Sequence, residues 1–128
     1  AEGVCTAAVR PGALCERSAT GIDEATGDIV YYQEPLVALE IGSNYGADIN
    51  TDYEAGERVT AGIARSGEFY LVRCNVATLT YVGQPMISAG NGNLTPATVE
   101  TGSENILFRA NEVINVTVAG TLVSMVKE

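Results

Sequence analysis

Asp48, Asn50, Asp52 and Glu54 stand at alternate positions, the spacing at which an EF-hand calcium loop places its first four oxygen ligands. The remainder of that loop is missing. Its sixth position, where the sharp turn needs glycine, holds Tyr53, and its twelfth, where a bidentate glutamate belongs, holds Val59. The segment reads as a solvated acidic turn, and no metal is expected. The chain has no histidine, which excludes His-based triads, His metal sites and imidazole acid–base work. Cys5, Cys15 and Cys74 therefore lack the usual partner base of a cysteine nucleophile, and their spacings match no zinc pattern. An odd count argues against a complete disulfide set, so the thiols are expected free and packed as small apolar groups. A Cys5–Cys15 bridge or a bridge between subunits is the alternative; free thiols fit synthesis in a reducing compartment. Ser66, within Arg65-Ser-Gly-Glu68, is not a nucleophile elbow, phosphate-cradling glycine loops are absent, and Lys127 is the one lysine. No catalytic residue and no cofactor is expected. The chain does not read as an enzyme.

The bulk numbers restrict partners in the same direction. A net charge of −9, from seven basic and sixteen acidic residues, repels phosphate backbones, so nucleic acid is not an expected partner. No stretch approaches the roughly 18 consecutive apolar residues of a membrane span, and a membrane is not expected either. Ala1-Glu2-Gly3-Val4 shows neither the basic nor the apolar region of a secretory signal, so the sequons at Asn93 and Asn115 carry little meaning. With 46% hydrophobic and 18% charged residues over 128 positions, the composition is that of one ordinary folded domain.

The elements that position these residues are short. From Asp48 to Leu94, apolar runs are broken at regular intervals by Gly, Asn, Asp and Pro turns, the pattern of a compact antiparallel β domain. Strands are expected at 13–17, 29–33, 36–41, 58–64, 68–76, 86–87 and 106–110. A C-terminal pair at 113–118 and 121–126, turning at Ala119-Gly120, is expected to form a hairpin. Residues 77–81 hold a weak helical possibility, and 18–28 reads as a polar loop. The expected fold is all-β, a compact antiparallel β-barrel or β-sandwich with an extended N-terminal arm. Residues 1–12 form the arm and 13–128 a single β domain. The arm consists mostly of small side chains ahead of the first clear strand, so it either pairs at a sheet edge or reaches onto a partner. Val4, Cys5, Val9, Arg10 and Pro11 are its candidate contact residues, and removal of residues 1–11 is expected to leave the fold intact.

The turn order itself resembles a known family. Arg10-Pro-Gly12 with Glu16-Arg17, Pro35-Leu-Val-Ala-Leu-Glu40, and Ile49 with Tyr53-Glu-Ala-Gly-Glu57 and Val59 are similar to small head decoration proteins of tailed bacteriophages. Ser66-Gly67-Glu68, Gly83-Gln84, Ile87 and Asn91-Gly92-Asn93-Leu94 continue the pattern. The resemblance implies a virion protein made in the host cytoplasm that binds the capsid exterior as a cement protein. Its implied partners are the major capsid protein and itself, as a homodimer or homotrimer. A small carbohydrate- or receptor-binding β module, with Tyr31 and Tyr32 lining a groove, is the alternative.

Overall fold

The structure is a computed structural model and describes residues 1–19, 21–27, 35–40, 49–97 and 106–128. Tyr31, Tyr32, Tyr45, Asp48 and the strand expected over 29–33 lie outside the described residues. All regular secondary structure among the described residues is β. The strands are β1 (Glu2–Val4), β2 (Leu14–Arg17), β3 (Ile22–Glu24), β4 (Leu36–Ala38), β5 (Arg58–Ile63) and β6 (Phe69–Cys74). They continue with β7 (Ala77–Leu79), β8 (Pro85–Ser88), β9 (Leu94–Pro96), β10 (Phe108–Ala110), β11 (Ile114–Val116) and β12 (Thr121–Lys127).

Two units arise from these strands. The first half forms a sheet in the order β1-β5-β4-β2-β3, every neighbouring pair antiparallel. That sheet rolls until Val4 meets Gly21, the residue ahead of β3, in a parallel bridge. The second half forms a closed barrel, β10-β12-β6-β9-β8. Its long seam is β6 against β12, in register from Phe69–Val126 to Cys74–Thr121, and its one parallel pair joins β6 to β9 at Cys74–Leu94. A two-stranded ribbon, β7 with β11, stands beside the barrel.

Alternation along each strand decides what is buried. Val59 and Ala61 of β5 turn inward, as do Val72 and Cys74 of β6 and Val123 and Met125 of β12. The two interiors are separate clusters, yet β2 and β4 belong to both. Cys15, Leu36 and Ala38 face the core of the rolled sheet, while Leu14 and Val37 pack with Phe108, Met86 and Met125 of the barrel. One strand pair thus serves as a common wall. A strand buried on both faces must be apolar at every position, which is why Leu36-Val-Ala38 is an unbroken run.

Several expectations change. The N-terminal stretch takes the first of its two expected courses, pairing at a sheet edge: β1 pairs with β5, and the Val9 amide and carbonyl bridge to Tyr53 at 3.0 and 2.8 Å. The C-terminal strands do not form a hairpin with each other. Gly120 has φ of 90°, and the Gly120 amide donates to the Cys74 carbonyl at 2.9 Å, so the turn swings β12 onto β6 while β11 stays on β7. The reason is burial: Val123 and Met125 are fully buried only inside the barrel. Residues 77–79 are a strand, and the polar stretch 18–28 contains β3, held by the fully buried Ile22.

Candidate functional site

The densest polar cluster lies where the two units meet. Arg10 grips Glu24 twice: its Nε donates to Oε2 at 3.1 Å and its Nη2 to Oε1 at 3.0 Å, while the Arg10 amide donates to Oε2 at 2.8 Å. Nη2 also reaches the Asn91 carbonyl and Oδ1 of the buried Asn93, both at 3.0 Å, and Asn93 passes its own amide proton to Asn75 Oδ1 at 2.8 Å. Gly92 has φ of 78°, and a Cβ there would stand 2.5 Å from Glu24 Oε1, so the loop needs glycine for both conformation and space. Arg73 on β6 ties the same junction by donating to three carbonyls: Pro11 at 2.8 Å, Gly120 at 2.8 Å and Ile49 at 3.0 Å. Burial, with the neighbouring Arg10 charge, pushes the Arg73 pKa down, though a guanidinium stays charged. Every polar group named here is committed to another, so the cluster positions the two units and offers no nucleophile or proton carrier to a substrate.

This junction accounts for the residues that the sequence marked as partner contacts. Cys5 and Val9 are buried in the core of the rolled sheet, and Pro11 is buried with its carbonyl held by Arg73. Arg10 is spent on Glu24, and Val4 sits in β1 opposite Arg58. Cys5, Val9 and Pro11 are thus buried within this chain's own fold, and Val4 and Arg10 are half-buried. Within the acidic turn, Tyr53 is buried and donates its hydroxyl to the Leu39 carbonyl at 2.9 Å, while Asp52 and Glu54 on either side of it are exposed. Its residues serve as a bridge and a turn.

The three thiols are free and buried. Burial, reinforced by the nearby Glu24 charge, pushes Cys15 up to about 12, and burial alone pushes Cys74 up to about 11. Only the thiolate attacks a disulfide reagent, so Ellman's reagent at pH 8 is expected to titrate no thiol in the native protein and all three in denaturant. One native thiol reacting at once contradicts this packing. The sign for stability follows. Above the ordinary thiol value of 9.0 the unfolded chain loses these protons and the folded chain keeps them, so stability falls as pH rises toward 12.

Among the described residues, two apolar surfaces are exposed. A groove of about 480 Å³ runs between Leu39 and Ile49 on one side and Phe69 and Leu71 of β6 on the other. Phe69 and Leu71 are 66% and 57% exposed on positions where a barrel's outer face usually carries polar residues. The second surface surrounds the β7–β11 ribbon, where Val76, Tyr81, Val82, Val113 and Val118 are all exposed.

This architecture has a counterpart in a phage head fibre. The crystal structure of head fiber gp8.5 N base in bacteriophage phi29 matches with a TM-score of 0.54 and 16% sequence identity. The match covers 100% of this chain and 92% of that chain. Likeness at that identity establishes a shared all-β fold. No protein-family model matches the chain, and no curated protein matches it.

Proposed function

We propose that this chain is a structural protein of a tailed-phage virion, which binds the outer surface of the head as a decoration protein and holds neighbouring major capsid subunits together. The observation that carries this reading is the full-length likeness to the base of a phage head fibre. The turn order of the sequence resembles small head decoration proteins of tailed bacteriophages. The chemistry supports it by what the polar groups do: the arginines at the junction and Arg109, which pairs with Glu128, are engaged in holding the chain together. Free buried thiols fit a protein folded in the reducing host cytoplasm before it meets the capsid. Many identical head sites would let a modest single contact give a strong assembled shell.

Co-sedimentation with expanded capsids of the cognate phage tests the reading. Saturable binding, with a stoichiometry fixed by the lattice and a higher temperature of capsid disruption, is the expected result. Protein that stays in the supernatant at all concentrations overturns it.

A further inference from the structure

We propose that the outer edge of β11 is a self-association surface. There β11 of one copy pairs antiparallel with β11 of a second copy across a twofold axis, joining two ribbons into one four-stranded sheet, β7-β11-β11-β7. Among the described residues, β11 has a strand partner on one side only, β7. Proteins normally blunt such an edge with lysine, proline, a bulge or a covering element. Here the segment Val113-Ile-Asn-Val-Thr-Val118 carries no charge and no proline, and four of its residues are β-branched valine or isoleucine with a threonine beside them. Val113 and Val118 at its ends are 64% and 69% exposed. The ribbon is anchored by Leu79 and Val116 in the barrel core, and extension to four strands satisfies its open edge.

Charge selects a second copy as the occupant. At −9, two copies repel each other wherever acidic faces oppose. Most of the sixteen acidic residues precede Arg73; from Cys74 to Val99 the sequence holds no Asp, Glu, Lys or Arg, and none again from Val113 to Val126. Both ribbon strands lie in these uncharged stretches. The ribbon is therefore a face on which like copies meet without like-charge opposition. Antiparallel pairing is also self-complementary in register: Asn115 falls opposite its own copy, Ile114 opposite Val116, and Val113 opposite Thr117. Asn115 is exposed and already accepts from Thr78 Oγ1 at 3.0 Å on the ribbon face, so its amide stands ready for the facing amide. The edge of β11 accommodates one partner strand, which sets the product as a dimer.

The proposal does not depend on head binding, and its test is run on the isolated full chain without capsids. Sedimentation equilibrium is expected to give twice the chain mass at high protein concentration. Asn115→Lys places two like charges directly opposite each other and is expected to raise the dimer dissociation constant by about 100-fold or more, although it lowers the overall negative charge. Leu71→Lys, on the other apolar surface, is expected to leave the dissociation constant unchanged. Hydrogen exchange gives a readout independent of any variant: amides of β11 are expected to become slower as wild-type concentration rises. A monomer or a trimer at every concentration, an unchanged constant for natively folded N115K, loss of the dimer in L71K, or β11 amides indifferent to concentration each overturns the proposal.

Discussion

Replacing Gly21 with alanine is expected to destabilise the protein by about 3 kcal/mol, a large effect for a single methyl group. Gly21 and Gly3 face each other where the rolled sheet comes around on itself. A Cβ on Gly21 would lie 2.3 Å from both the amide nitrogen and the carbonyl oxygen of Val4, and one on Gly3 would lie 2.8 Å from the Gly21 Cα. These neighbours are backbone atoms, which have no rotamer through which to move aside. The added methyl must push β1 away from β3, opening the core that Cys5, Val9, Ile22 and Val59 share. Gly27→Ala is the control, since a Cβ there meets nothing within 4 Å among the described residues, and its stability is expected to stay within about 0.5 kcal/mol of wild type. Urea unfolding midpoints measure both, and a G21A protein as stable as G27A refutes the closure. By the same geometry, removal of residues 1–11 takes away β1, Cys5 and Val9 together and is expected to destabilise the fold.

Arg73→Ala is expected to cost about 3 kcal/mol, because one guanidinium closes three carbonyls from three separate parts of the chain. Removing it leaves the Pro11, Gly120 and Ile49 carbonyls short of a donor in a partly buried site, and an unmade hydrogen bond there costs more than a made one returns. It also removes the side-chain tie from β6 to the Arg10–Gly12 turn and leaves there the backbone bond from the Arg73 amide to the Gly12 carbonyl at 2.9 Å. Arg73→Lys is expected to recover little, since an ammonium is a point donor and cannot reproduce the planar fork. Thermal unfolding followed by circular dichroism checks the series. Equal stability of R73A and wild type would show that the Arg10 network and the packing of Leu14 and Val37 hold the two units together without the Arg73 side chain.

How legible these features are depends on their range. Strands β2, β5, β6, β8, β10 and β12 fall on the apolar runs read from the sequence, because inward alternation is a local, period-two property. β3 is hidden, since Ile22 is its single large apolar residue within a polar stretch and two turns of the chain mask the signal. β1 carries no strand signal of its own for the same reason: Gly3 occupies its centre, and a glycine required for close approach looks like a glycine used for freedom. Val4, Cys5, Val9, Arg10 and Pro11 could be picked out as important, but nothing local distinguishes a residue that faces a partner from one that faces the chain's own second strand. The spacing Arg10 to Glu24 carries no periodic signal at all, yet it anchors the junction.

The sequence by itself determined the β class, the want of histidine and of any loop able to cradle a phosphate, the acidic balance and the fact that its thiols have no partner base. These follow from residue identity and from neighbours two or three positions apart. The tertiary structure decided the rest: two units sharing one wall, β12 on β6 with β11 left on β7, and an N-terminal strand that closes the first sheet. Those are choices of which edge pairs with which, and they are settled by what can be buried at once. Leu36-Val-Ala38 is buried on both faces only if a core lies on each side of it, and among the described residues β11 pairs with β7 alone because β12 buries Val123 and Met125 in the barrel.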